Sequence, residues 1–158
     1  MFRPMRRKKQ LLSEIECAEI LASQKRGVLS LIGDNGYPYG IPIDFWYDGQ
    51  NGKICFHGAA SGHKIDAIKR SEKASFCVYD EGFAREGEWA LNIKSVILFG
   101  KMSFVEDKNR AEVICRAICE KFTDDKKYIE DEIAKAKNHV LCLELEIEHM
   151  TGKIVNES

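Results

Sequence analysis

Residues 27–58, GVLSLIGDNGYPYGIPIDFWYDGQNGKICFHG, contain three strand-like runs separated by two turn-forming segments. The turns are GDNG at 33–36 and DGQNG at 48–52, and both are rich in residues that favour reversal of the chain. Between them, residues 41–47 alternate between two faces, and Pro42 indicates a bulge or an incompletely paired position. Two successive hairpins predict an antiparallel sheet.

The flanking segments add helices and further strands to this sheet. Ser13 and Glu16 have the spacing of a capping box, which predicts a first helix over about 13–24. Its packing face is expected to hold Leu11, Ile15, Ala18 and Ala22. Other helices are predicted over 61–70, from Asp107 to Phe122 and from Asp124 or Asp125, and other strands over 73–80, from Lys94 and over 140–150. The order lacks regular βαβ alternation, so we expect about six strands closed toward a barrel, with four helices.

Two of these strands carry specific expectations. The run from Lys94, KSVILFGKMSFV, is too apolar to be solvated on both faces, which predicts a central strand with a bend at Gly100. The last run, VLCLELEIEHM, alternates strictly, which predicts one solvent-facing side that carries Glu144, Glu146 and Glu148. Because this alternation is typical of a solvent-facing strand side, we assign these carboxylates no catalytic role.

Six cysteines are spread over these elements, and no two have the CxxC spacing of a metal or redox motif. Cys115 and Cys119 fall on one helix face with apolar residues, so we expect them to pack in the core. The other members of that face are Ala111, Ile114, Ile118 and Phe122. We therefore predict reduced thiols and no metal site.

Composition excludes several classes of protein. The chain of 158 residues is 44% hydrophobic and fits one domain, with a basic arm over 1–10 and a helical insertion over 107–138 before the last strand. Its 24 basic and 25 acidic side chains give a net charge of −1, which offers no field for nucleic acid or an anionic membrane. Because no apolar run has the length of a membrane span or follows the pattern of a signal peptide, we expect a cytoplasmic protein.

The segment His57–Lys64, HGAASGHK, is the best candidate for a binding site. Small residues lead from a strand end into a helix N-terminus, where first-turn N–H groups carry roughly half a positive charge and Lys64 adds a full one. This arrangement indicates a phosphate site, although a plain strand-to-helix joint would have the same sequence. No GxGxxG occurs, and GAASGHKI departs from the phosphate-loop pattern GxxxxGK[ST].

Other chemistry has less support in the sequence. His57 and His63 could bind a metal only with Asp66 as a forced third ligand. Cys55 and His57 could form a nucleophile pair, but no oxyanion site is visible near them.

Taken together, the motifs resemble a known family. The opening MRRKKQLL, the strand GYPYGIPIDFWY, the segment ICFHGAASGHKIDAI, and then SFCVY, KSVILFG and EHMTGK occur in an order similar to that of flavin-binding split barrels related to pyridoxamine 5′-phosphate oxidase. Within that superfamily the chain most resembles the nitroimidazole-resistance flavoproteins. The resemblance implies a mainly β, α+β fold: a six-stranded antiparallel split β-barrel with flanking helices, as a single flavin-binding domain over 1–158.

The resemblance also implies a cofactor and the residues that hold it. FMN is the expected cofactor, with FAD or haem as alternatives, and His57, His63 or His149 could be a haem ligand. The backbone around Ile41, Pro42 and Ile43 would lie along the flavin ring. The other implied cofactor-binding residues are His57, Gly62, His63 and Lys64 at the phosphate, and Ser95.

The implied activity is reduction of a small nitroaromatic compound, such as a nitroimidazole, by an FMN-dependent oxidoreductase. His63 would be the catalytic residue. A reduced nicotinamide would donate electrons, and a homodimer would hold flavin at the subunit interface. Fold alone does not establish this activity, so a non-catalytic flavin or haem carrier or sensor is the alternative.

Overall fold

The computed structural model describes residues 1–136 and 140–156, in which four α-helices flank one antiparallel sheet. The helices are α1 (Glu14–Ser23), α2 (His63–Arg70), α3 (Lys108–Glu120) and α4 (Lys126–Ala136). The strands are β1 (Arg26–Ile32), β2 (Pro38–Asp44), β3 (Trp46–Asp48), β4 (Lys53–Ala59), β5 (Lys73–Tyr79), β6 (Phe83–Ala84), β7 (Leu91–Phe104) and β8 (Val140–Asn156).

The sheet is a curled half-barrel that is open along one side. Its strand order is β2-β1-β5-β7-β8-β4-β3, and β6 pairs with β7 outside that path. The two end strands, β2 and β3, follow each other in the chain, so the sheet must curl until its two ends meet. The predicted fold class, an antiparallel split β-barrel with flanking helices, is confirmed. The predicted count of six strands is wrong, because the described residues form eight.

One of the additional strands arises because the predicted run over 37–47 is divided at Phe45. The ring of Phe45 is fully buried and meets the ring of Phe76 edge to face, with centroids 4.9 Å apart. The chain before Phe45 pairs with β1, and the chain after it pairs with β4. Pro42 lies in regular register with Val28 and marks no bulge. It is tolerated because β2 is an edge strand, where a missing N–H breaks no second ladder.

The first helix begins where the sequence predicts but buries a different face. The capping box is present: the Ser13 hydroxyl accepts from the Glu16 N–H at 3.3 Å, and the Glu16 carboxylate accepts from the Ser13 N–H at 2.8 Å. However, Ile15 is 73% exposed, whereas Cys17 and Leu21 are buried. The expected packing face of this helix is therefore wrong.

β7 is central, between β5 and β8, as predicted. Its register with β8 shifts between Phe99 and Gly100. A Cβ atom at Gly100 would overlap the carbonyl group of Glu146, so only glycine allows the two backbones to approach this closely. The predicted bend at Gly100 is confirmed as a β-bulge.

The outer face of β8 is not the uniform solvent face that its alternation predicts. Glu146 and Glu148 are exposed, but Glu144 is only 6% and Cys142 only 1% exposed. Helix α3 lies on this part of the strand, where Ile114 and Ile118 pack with Cys142 and Cys55. The alternation of a strand predicts only that its two faces differ in polarity. It cannot predict that a helix from a distant part of the sequence packs on one of them.

The helical insertion is present as α3 and α4. Asp107 caps α3, and its carboxylate accepts from the N–H groups of Asn109 and Arg110. Phe122, predicted to lie on the buried face of α3, is exposed beyond the end of the helix. The last two residues of the predicted insertion, 137 and 138, lie outside the described residues.

Candidate cofactor site

The opening of the half-barrel lies between β2 and β4, which approach each other without forming a ladder. β4 pairs with β8 over its whole length, but with β3 only over Lys53–Cys55. Within the described chain, β2 pairs only with β1. Residues 57–59 of β4 and the outer edge of β2 therefore have backbone groups that no neighbouring strand pairs. Such groups can bond the polar edge of a ligand.

The N-terminus of α2 lies at the end of this opening. β4 ends at Ala59, and α2 begins at His63 after a short turn of small residues. Gly62 has a φ of 116°, a conformation that favours glycine, and no side chain caps the helix. The first-turn N–H groups are therefore free of a side-chain acceptor, which suits them to bind an anion.

Lys64 reinforces the positive character of this helix start. A Cβ atom at Gly58 would lie 2.6 Å from the Lys64 Nζ, so the amine folds back over β4 where that strand has no side chain. Burial lowers the pKa of Lys64. An anionic ligand at this position would restore the favourable electrostatics that burial removes from the ammonium group.

His57 is half-buried on the same strand, next to Gly58. Burial lowers its pKa, Lys64 lowers it further, and Asp44 opposes both by raising it. His57 is therefore neutral near pH 7 and can donate one hydrogen bond from its ring. Lys64 and Asp44 therefore both lie close enough to His57 to influence the charge of its ring.

Asp44 is the site residue that the sequence analysis missed. It ends β2, directly after the predicted ring-binding residues, and its carboxylate accepts from the Arg26 Nε at 2.7 Å. Alternation in the strand suggested only that Asp44 shares a face with Pro42. Asp44 raises the pKa of His57 because β2 and β4 approach each other in the fold. No local sequence pattern predicts that approach.

His63 is held on the opposite side of the helix start. Its ring stacks on Tyr39, with centroids 4.0 Å apart and planes 15° apart. Its Nε2 lies 3.6 Å from the Asp34 carboxylate, which also pairs with Arg70 at 2.7 Å. These contacts tie α2 to the β1–β2 turn and give His63 a structural role. Its catalytic role stays a prediction.

The remaining predicted residues divide into two groups. Ile41 and Ile43 direct their side chains toward the core, so their backbone, with that of exposed Pro42, forms the edge of the opening. Ser95 lies elsewhere. It pairs with Lys153 near the C-terminal end of β8, whereas His57 pairs with Cys142 near the beginning of that strand. A single chain does not bring Ser95 to the other predicted residues.

The opening is a surface cleft and not an enclosed cavity. Five cavities in the described part of the chain, of about 310 to 630 Å³, have neither His57 nor Lys64 in their walls. A ligand bound along β2 would therefore be covered on one side only by this chain.

The structure also shows the surroundings of the residues named for the alternative sites. Residues 1–136 and 140–156 contain no group of three or more His, Cys, Asp or Glu side chains arranged to hold a metal ion. Burial raises the pKa of Cys55 to about 12, so a Cys55–His57 nucleophile pair is not supported. His149, a candidate haem ligand, stacks on Phe2 with ring centroids 4.7 Å apart.

The antiparallel split barrel, with the uncapped start of α2 beside its open edge, defines the class of fold to which the protein belongs. Within that class, the chain belongs to the pyridoxamine 5′-phosphate oxidase family, because the sequence model of that family matches residues 13–154.

Solved structures with the same fold extend this comparison. A conserved hypothetical protein of Mycobacterium tuberculosis is 18% identical, with a TM-score of 0.80 over 95% of this chain and 90% of that one. A proposed 5-nitroimidazole antibiotic resistance protein of Bacteroides thetaiotaomicron is 18% identical, with a TM-score of 0.76 over 92% and 87%. The FAD and haem binding protein of Mycobacterium smegmatis is 20% identical, with a TM-score of 0.72 over 96% and 75%. At these identities the likeness establishes the fold.

No curated protein matches the chain in sequence. Among the described helices, none combines the length and the apolar character needed to cross a membrane.

Proposed function

We propose that this protein binds FMN in the β2–β4 opening and acts as an oxidoreductase on small nitroaromatic compounds. The observation that carries the proposal is the uncapped start of α2, with the Lys64 amine folded over Gly58 at the end of an unpaired sheet edge. That arrangement supplies an anion site and, next to it, backbone groups for a planar polar ring.

Different residues of the chain would bind the phosphate and the ring of the flavin. The first-turn N–H groups of α2 and the ammonium group of Lys64 would hold the phosphate, and neutral His57 would donate a further hydrogen bond. The edge formed by Ile41, Pro42 and Ile43 would orient the ring, because the side chains of Ile41 and Ile43 pack against the core. When bound, the flavin supplies transfer of electrons between a reduced nicotinamide and the substrate.

The proposed substrate class follows from two structural neighbours and from the open cleft. One structural neighbour is described as a proposed nitroimidazole resistance protein, and another as a binding protein for FAD and haem. A nitroimidazole is small and planar, and an open cleft leaves one face of a bound ring accessible to it. His63, beside the helix start, would assist the reaction or position the substrate. Reduced nicotinamide as donor and a cytoplasmic location stay predictions.

A homodimer would complete the site. The sheet face formed by β5 and β7 exposes large apolar side chains that no described helix covers: Tyr79 at 60%, Ile97 at 41% and Phe99 at 40% exposure. A cluster of this kind is typical of a protein interface. Ser95 lies on the same face, two residues before Ile97, so any contact of Ser95 with flavin would be made across the dimer.

The absorbance spectrum of freshly purified protein tests the cofactor, together with mass identification of what denaturant releases. We expect the two bands of oxidised flavin and release of FMN. Release of FAD would correct the choice of flavin, and a Soret band would favour the haem carrier or sensor. A colourless protein that cannot be reconstituted with FMN would sink the proposal.

The reaction is tested separately, with the FMN-loaded protein. We expect oxidation of reduced nicotinamide that depends on added nitroimidazole and forms the amine, measured by absorbance and mass spectrometry. Free FMN at the same concentration is the control. Rates no higher than those of free FMN would leave a flavin-binding protein without this activity.

A further inference from the structure

Two thiols meet between α3 and β8, away from the β2–β4 opening. The Sγ atoms of Cys115 and Cys142 are 3.6 Å apart, and Cys142 also contacts the carbonyl of Ala111 at 3.6 Å. The two residues are distant in sequence, so the tertiary fold creates the pair. A disulfide would require the sulfur atoms to approach from 3.6 Å to about 2 Å.

A cavity gives small molecules access to this pair. Its volume is about 400 Å³, and it lies between α3, α4 and β8 with both thiols in its wall. Its wall includes apolar side chains such as Ile133 and Val140 and the charged residues Glu106 and Lys108. Neither thiol belongs to the exposed β5–β7 face proposed as the dimer interface.

The two thiols differ in acidity in the way that a reactive pair requires. The contact with the Cys142 thiol lowers the pKa of Cys115, although burial and Glu112 oppose this change. The same interaction raises the pKa of Cys142, and burial raises it further. The directions of these shifts make Cys115 the more acidic thiol of the pair, and a thiolate is the form of cysteine that reacts with oxidants. The pKa values of Cys55, Cys77 and Cys119 are all raised, chiefly by burial.

We propose that Cys115 and Cys142 form a peroxide-reactive dithiol site that closes to a disulfide. The Cys115 thiolate attacks one oxygen of hydrogen peroxide, the O–O bond breaks, and hydroxide leaves, which gives a sulfenic acid on Cys115. The Cys142 sulfur then attacks the Cys115 sulfur, the S–O bond breaks, and water leaves with the Cys142 proton. In sum, two thiols and one peroxide give one disulfide and two waters.

The disulfide would join the candidate cofactor site to the helical insertion. Cys142 pairs directly with His57 in the β4–β8 ladder, so their side chains lie on the same face of the sheet. A disulfide between Cys115 and Cys142 would link α3 covalently to β8, the strand that pairs with His57. The thiol chemistry itself does not depend on flavin, so it can be tested whether or not the proposed function holds.

The first experiment uses the wild-type protein. Reduced protein is treated with one equivalent of hydrogen peroxide, alkylated under denaturing conditions, digested without reductant and analysed by mass spectrometry. We expect a linked peptide pair that contains Cys115 and Cys142, with loss of two titratable thiols. A protein that keeps all six thiols, or that links other cysteines instead, overturns the proposal.

Variants assign the roles of the two sulfurs. In Cys142→Ser, peroxide should leave a sulfenic acid on Cys115 that a dimedone probe captures, and no linked peptide should form. The matched control is Cys119→Ser, one turn along the same helix, which should form the disulfide at the wild-type rate. Capture of dimedone on Cys119 at a rate equal to that on Cys115 would contradict the assignment, because we expect Cys115 to react about tenfold faster.

Discussion

Lys64 places a positive charge beside the uncapped first turn of α2, so its side chain is the sharpest single-residue test of the phosphate site. We expect Lys64→Ala to weaken FMN binding by about 1.5 to 3 kcal/mol, which corresponds to a Kd about 10- to 150-fold higher. Fluorescence titration of the apoprotein with FMN measures this change.

The matched control is Lys69→Ala, in the last turn of the same helix, which removes the same charge without touching the helix start. Its FMN affinity should stay within about twofold of that of the wild type, because an exposed lysine at this position contributes little. Riboflavin, which lacks the phosphate, should bind the wild-type protein and Lys64→Ala equally. A loss of riboflavin binding in Lys64→Ala would show that the residue acts on the fold and not on the phosphate.

At the scale of secondary-structure elements, α3 docks on the sheet through an ionic cluster. Arg110 donates from Nε to Glu144 and from Nη2 to Asp48, both at 2.7 Å, and Lys53 also bonds Glu144. Asp48 and Glu144 are almost completely buried. Removal of Arg110 would leave two buried carboxylates with too few donors, which is far more costly than the loss of an exposed ion pair.

We expect Arg110→Met to lower the free energy of unfolding at pH 7 by about 3 kcal/mol. Burial opposes ionisation of Asp48 and Glu144, but hydrogen bonds from Asn51 and Arg110 to Asp48, and from Lys53 and Arg110 to Glu144, outweigh it and lower both pKa values. Their contribution is therefore complete above the ordinary values of 3.8 and 4.5, and it is lost as the pH falls through the lower folded-state pKa values.

Denaturant unfolding of the wild type and Arg110→Met between pH 3 and 8 would measure this linkage. The difference between the two proteins should be constant near neutral pH and should narrow in acid. Arg116→Met is the matched control, because Arg116 lies on the same helix and pairs with Glu112 and Glu130 near the surface. A difference between wild type and Arg110→Met that widens in acid would contradict the proposed role of the cluster.

The elements that could be predicted from sequence are those set by local signals. The Ser13–Glu16 capping box, the Asp107 cap and the alternation in β5 each act within a few residues, and each was placed correctly. Glu144 and Asp44 could not be placed, because their environments depend on α3 and β4, which lie far away in the chain. The candidate site was predictable only where it is contiguous, from His57 to Lys64. The contribution of β2 followed from the family resemblance.

At the scale of the whole molecule, the proposed homodimer would account for both the open cleft and the exposed β5–β7 face, where within one chain Phe2 stacks on Phe99. If the two surfaces form one interface, dimerisation and FMN binding must be linked, since each subunit would cover the exposed side of the other's ligand. Ile97→Lys places a charge in the centre of this face, where Ile97 lies between Cys77 and Thr151 in the ladder. We expect it to raise the dimer Kd at least about 30-fold, by about 2 kcal/mol.

Sedimentation of the apo and FMN-loaded proteins would measure this effect, with FMN affinity determined on the same samples. The control is Ile15→Lys, which adds the same charge at an exposed isoleucine on α1 and should leave a dimer with wild-type affinity. Because linkage is reciprocal, monomeric Ile97→Lys should bind FMN more weakly even though Lys64, His57 and β2 are unchanged. If the monomer binds FMN as tightly as the wild type does, the β5–β7 face does not contribute to FMN binding. The cleft would then be a complete site within one chain.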